Sequence, residues 1–106
     1  MNVRYYDEAK SFNAELFRDS DGSVFQLIAN ELSKVFNVQW KAKIDGSDQR
    51  YWDFEFKATE LTLHLEHFLG ISIYIYKTEP DFENAKRVLE EIGDHFKTWN
   101  PPNFKG

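Results

Sequence analysis

His64 and Glu66 are the residues with most capacity for chemistry in this sequence, together with Asp53 and Glu55 some ten positions earlier. Each pair is spaced by two, which puts both members on one face of a strand. Adjacent strands bring such side chains to about 5 Å, close enough for a His–carboxylate metal site. The stronger reading is that they are solvated residues balancing Lys41, Lys43 and Lys57 across strands. The run His64-Leu65-Glu66-His67 lacks both the second His four residues on and the helix that a zincin needs. Acid–base work by paired carboxylates requires a cleft that excludes water and shifts a pKa. A flat sheet face supplies neither. No G-x-S-x-G, P-loop or dinucleotide-binding glycine pattern occurs. With no Cys there is no thiol nucleophile, disulfide or Cys-ligated metal. The expectation is a chain that is not an enzyme and carries no cofactor or metal. His95, near the end of the last expected helix, has a simple explanation in the helix dipole.

Tyr74 and Tyr76 have the spacing of an exposed strand face, and with Lys41 and Lys43 they suggest a stacking platform for single-stranded RNA. Asp53, Glu55 and Glu66 would repel phosphates on that same face. Cross-strand tyrosines that simply stabilise a sheet are the more economical account.

The elements that must position these residues follow from periodicity. Phe12, Ala14 and Leu16 alternate with polar residues over 12–17, a half-buried strand. Val3 to Tyr6 form a further extended piece, or residues 5–12 form a helical turn. Asp19-Ser20-Asp21-Gly22-Ser23 is a turn with an N-cap at Asp21 or Ser23. Val24, Leu27, Ile28, Leu32, Val35 and Phe36 then predict a helix over 23–36. Four strands come next. Their inward sets are Val38, Trp40, Ala42 and Ile44; Trp52, Phe54 and Phe56; Leu61, Leu63 and Leu65; and Ile71, Ile73 and Ile75. Short loops at Asp45–Asp48, Ala58-Thr59 and Phe68-Leu69-Gly70 make them an antiparallel meander. Glu79-Pro80-Asp81 starts a final helix over about 81–98, with a stripe of Phe82, Ala85, Val88, Leu89, Ile92, Phe96 and Trp99. Gly93 interrupts it at about 1 kcal/mol relative to Ala.

The fold class this predicts is α+β. It is a two-layer sandwich in which an antiparallel meander of four to five strands carries two helices on one face, in the order β-α-β-β-β-β-α. The opposite face is left open. It holds Gln39, Lys41 and Lys43, Tyr51, Asp53, Glu55 and Lys57, Thr62, His64 and Glu66, and Ser72, Tyr74 and Tyr76.

Composition agrees with one domain spanning residues 1–106, with an irregular tail from about 100. Eighteen aromatic side chains exclude a disordered chain. Phe12, Phe25, Phe36, Trp40, Trp52, Phe54, Phe56, Phe82, Phe96 and Trp99 fit the core. Tyr5, Tyr6, Phe17, Tyr51, Phe68, Tyr74, Tyr76 and Phe104 are left nearer the surface, where aromatics anchor protein interfaces. The net charge of −5 counts against nucleic acid. The acids are spread along the chain but densest on the final helix, where Glu90, Glu91 and Asp94 accompany Glu79, Asp81 and Glu83. Such a surface suits a basic protein partner. No apolar leader or spanning run is visible, so the expected compartment is cytoplasmic. A monomer and a homodimer are equally compatible with the pattern.

A small, acidic, cysteine-free α+β chain without catalytic motifs resembles the immunity proteins of bacterial toxin systems. The resemblance lies in size, charge and element order over the whole chain. It implies a cytoplasmic antitoxin-like inhibitor that binds a toxin or effector domain directly, often a nuclease with a basic active site. Phage-type inhibitors of host defence complexes share the profile. The partner-binding residues expected on these grounds are Tyr51, Asp53, Glu55, His64, Glu66, Tyr74 and Tyr76 on the sheet and Glu90, Glu91 and Asp94 on the helix.

Overall fold

Strict alternation in the chain becomes one antiparallel sheet in the computed structural model, which describes residues 1–102. Its strands are β1 (Arg4–Asp7), β2 (Ser11–Phe17), β3 (Gln39–Asp45), β4 (Gln49–Phe56), β5 (Thr59–Glu66) and β6 (Gly70–Tyr76). Their spatial order is β1-β2-β6-β5-β4-β3. The expected α+β sandwich is therefore present with six strands. The additional strand is β1, where Arg4 to Asp7 pair with Glu15 to Phe12. The helical alternative for the start of the chain does not form.

Both helices cover one face. α1 (Gly22–Glu31) packs on β5, and α2 (Phe82–Lys97) lies over β2, β5 and β6. Asp21 is the N-cap of α1: its Oδ1 accepts from the Ser23 amide at 2.8 Å and the Val24 amide at 3.3 Å. Asp81 caps α2 through the Asn84 amide at 3.2 Å. The expected first helix departs from α geometry at Leu32, where Leu32–Phe36 form a π-helical turn closed by Asn37 at φ 51°. A π turn carries more residues than an α turn and rotates the later side chains out of phase. Val35, expected in the inward stripe, is consequently 46% exposed.

The core lies between the layers. Phe25, Phe54, Phe96, Leu16, Ile28, Leu32, Leu61, Leu63, Ile73, Ile75 and Leu89 are essentially inaccessible. Burial of each large apolar side chain stabilises the fold by about 1.5–3 kcal/mol. Phe36, Trp40, Phe56, Phe82 and Trp99 pack against it from its margins. Tyr5, expected nearer the surface, also packs there, stacked on Phe12 at 5.9 Å. Phe104 lies outside the described residues.

β3 departs most from expectation. The register shifts between Trp40 and Ala42, so that Trp40 faces Phe54 but Ala42 faces Asp53 and Ile44 faces Tyr51. Lys41 is the inserted bulge residue. Every side chain after it changes sides. Ala42 and Ile44, expected inward, turn out to the open face, and Ile44 is 62% exposed. Lys43, expected on the open face, instead lies over the Trp52 ring at 4.3 Å on the helix side.

Candidate functional site

The open face is built around three rings from adjacent strands. Tyr51 on β4 pairs directly with His64 on β5, and Tyr74 on β6 sits one diagonal away. Tyr51 stacks on His64 at 4.4 Å with planes 13° apart. Tyr74 meets His64 edge-on at 5.9 Å and meets Tyr76 at 5.4 Å. The Tyr74 and Tyr76 hydroxyls are 3.4 Å apart. Gln49 accepts a hydrogen bond from the Tyr51 hydroxyl.

His64 is the electrostatic oddity of this group. Its Nε2 is buried and has no hydrogen-bond partner. Burial between the tyrosines pushes its pKa below the ordinary histidine value, against the opposing pull of the Glu66 carboxylate. The ring is accordingly neutral at pH 7. Tyr74 is pushed well up, first by burial and then by its hydroxyl contact with Tyr76. Its phenol therefore keeps its proton at ordinary pH.

This face is concave, not flat. A hollow of about 570 Å³ is lined by Tyr51, His64, Glu66, Tyr74 and Tyr76, with Tyr6, Glu8 and Lys10 at the β1–β2 side and Leu69 at the β5–β6 turn. Bulges in β2 and β3 bend the strands that they interrupt. Gly70 makes the turn possible: it sits at φ +98°, and a Cβ there would lie 2.1 Å from the Phe17 carbonyl oxygen. The turn thereby thrusts Phe68 and Leu69 outward, 87% and 66% exposed. Phe68 meets His67 edge-on, at 4.5 Å. The signal for this pair is readable in hindsight, since two large apolar residues occupy a turn where polar residues are usual.

The remaining sheet residues divide by partner. Asp53 accepts from Thr62 Oγ1 at 2.7 Å. Glu55 lies 3.5 Å from Lys41. Of the three lysines expected to balance acids on this face, only Lys41 does so among the described residues. Lys57 instead reaches Glu91 on α2 at 2.7 Å. With Lys43 on the opposite side, the aromatic platform loses much of the positive charge that a nucleic-acid reading requires. Among the described residues, no group of three His, Asp or Glu is placed to hold a metal ion.

Glu90, Glu91 and Asp94 do not join the sheet site. They belong to α2, in the layer on the other side of the sheet. Asp94 accepts from the Tyr5 hydroxyl at 3.1 Å and pairs with Lys97 at 2.9 Å, and the Lys97 bond holds its carboxyl below the usual range. The ten expected residues therefore fall on two surfaces, seven on the sheet and three on the helix. His95 has a more specific role than a dipole contact. Its Nε2 lies 2.7 Å from Glu31 Oε2, joining α2 to the end of α1, and its ring meets Phe36 edge-on at 5.3 Å.

No helix among the described residues is long and apolar enough to cross a membrane. A family model described as a protein of unknown function, DUF3630, matches residues 1–90. No curated protein matches the chain, and no solved structure does.

Proposed function

The chain belongs to the DUF3630 family, and within that family we propose that it is a protein-binding inhibitor of immunity type, which takes a toxin or effector domain on its concave sheet face. One observation carries this reading. The two most exposed large apolar side chains among the described residues, Phe68 and Leu69, stand together beside a tyrosine-lined hollow. Exposing both costs hydrophobic free energy in the free protein; an exposed apolar patch marks an interaction site, and the tyrosines beside it are of the type that anchors interfaces. The net charge of −5 adds long-range attraction for a basic domain. Inhibition follows from occlusion: a domain whose basic active site is seated against this face cannot reach its substrate.

The test is co-expression with proteins encoded beside the gene, followed by calorimetry on any complex. A one-to-one complex is expected, with an association rate that falls as salt rises. Phe68→Asp with Leu69→Asp should abolish it, whereas Glu91→Gln on the helix layer should not. A complex that survives the double substitution unchanged, or no complex at all, defeats the proposal.

A further inference from the structure

The hollow on the sheet face has more structure than an apolar anchor needs. Four tyrosines line it, Tyr6, Tyr51, Tyr74 and Tyr76, yet its charged lining is mainly acidic. Glu8, Glu15 and Glu66 face Lys10 as the one basic residue of the lining. Glu15 is already engaged by Arg18 at 3.3 Å. Glu8 and Glu66 have no ion pair among the described residues. The floor carries no positive charge either, because His64 is held neutral by burial between its two aromatic neighbours.

We propose that this hollow is a receptor for an arginine side chain of the partner, with the guanidinium against the tyrosine rings that line it and turned toward Glu66. The inference rests on the partner-binding reading of this face and names the chemistry of what enters it. Electron-rich ring faces attract a cation within about 6 Å, and arginine is the cation that also stacks flat. Its fork matches a carboxylate in a way that a lysine ammonium does not. An anionic group would meet Glu8 and Glu66 with no opposing charge beyond Lys10. A purely apolar side chain would bury those carboxylates without compensation. The volume, about 570 Å³, falls in the range of small-ligand clefts and accommodates the side chain with part of its backbone.

The probe is the peptide acetyl-Gly-Arg-Gly-amide, with its citrulline counterpart as the uncharged isostere, titrated into the intact protein and followed by NMR at the ring resonances of Tyr51, His64 and Tyr74. Saturable shifts with the arginine peptide and none with citrulline are expected. Tyr74→Leu should weaken binding about tenfold by removing one ring face. Glu66→Gln should weaken it about threefold. Should Tyr74→Leu disturb the sheet, Glu66→Gln carries the test, because Glu66 is the last residue of β5 and the change keeps its size. Equal shifts with the two peptides, or no saturable shift, overturn the inference. The two proposals separate cleanly. A protein partner that still binds after its interface arginines are changed to citrulline-like glutamines sinks the arginine receptor and leaves the inhibitor reading intact. Arginine-selective shifts in a protein that captures no partner do the reverse.

Discussion

Replacing Gly93 by alanine sets two effects of opposite sign against each other. In a solvent-exposed helix the change stabilises by about 1 kcal/mol, because glycine loses more backbone freedom on folding. Here α2 is not free to accept a methyl group. A Cβ at Gly93 would lie 2.3 Å from the Tyr5 hydroxyl oxygen, 3.0 Å from Cζ and 3.1 Å from Cε1. The phenol must move by about an ångström to restore ordinary contact. Moving it strains its bonds to the Glu90 carbonyl at 3.3 Å and the Asp94 carboxylate at 3.1 Å, and disturbs the near-parallel stack on Phe12. Overpacking of this kind costs about 1–3 kcal/mol, and a lost hydrogen bond about 1 kcal/mol more. Set against the propensity gain, Gly93→Ala should destabilise by about 1–3 kcal/mol, or roughly 4–8 °C in Tm per kcal/mol for a domain of this size. Tyr5→Phe removes the atom in closest conflict. In that background the same alanine should come close to neutral, with a coupling of about 1 kcal/mol or more in the double-mutant cycle. Urea denaturation of the four proteins with a common m-value is the assay. A stabilised Gly93→Ala single variant, or an equal cost with and without the Tyr5 hydroxyl, refutes the reasoning.

Two further outcomes check other parts of the structure. His64 has a folded-state pKa below its unfolded value of about 6.5, so the unfolded chain binds the extra proton first. Its contribution is whole above about pH 6.5 and is lost as pH falls below it. Stability measured between about pH 7.5 and 5 should therefore decline more steeply in the wild type than in His64→Gln, and parallel profiles would count against the buried neutral imidazole. The bulge at Lys41 makes Ile44 an outward residue: Ile44→Ala should change stability by less than about 0.5 kcal/mol, while Ile73→Ala in the core should cost about 2–5 kcal/mol. Similar losses at both positions in denaturant melts would mean that Ile44 faces inward after all.

Much of the architecture can be read from period-two alternation, because a half-buried strand leaves that pattern whenever its register is regular. Phe12 to Leu16, Trp52 to Phe56, Leu61 to Leu65 and Ile71 to Ile75 all face the side their spacing assigns. The failures share one physical cause, a local change of phase. Gln39–Asp45 alternates in sequence as well as any strand, but one inserted residue reverses its second half. The π turn does the same to Val35. Neither insertion has a glycine or proline to announce it. The residues of the candidate site are legible as a shared face, and Tyr51, His64, Glu66, Tyr74 and Tyr76 do meet. The hollow they form is not, since curvature comes from bulges and twist that no single strand displays. The Glu31–His95 pair spans 64 positions and joins two helices whose relative placement only the folded sheet determines.

The bulge at Lys41 has a consequence outside the molecule. β3 is an edge of the sheet, with a row of backbone donors and acceptors that another chain could extend. The inserted residue breaks the regular spacing of that row, and lysines on either side of Ala42 put charge on both faces of the strand. At the opposite edge β1 is four residues long, too short to template a stable addition. Strand-by-strand growth into aggregates is thus disfavoured from both ends. Phe68 and Leu69 are thus displayed on a fold whose two sheet edges both resist extension by another chain.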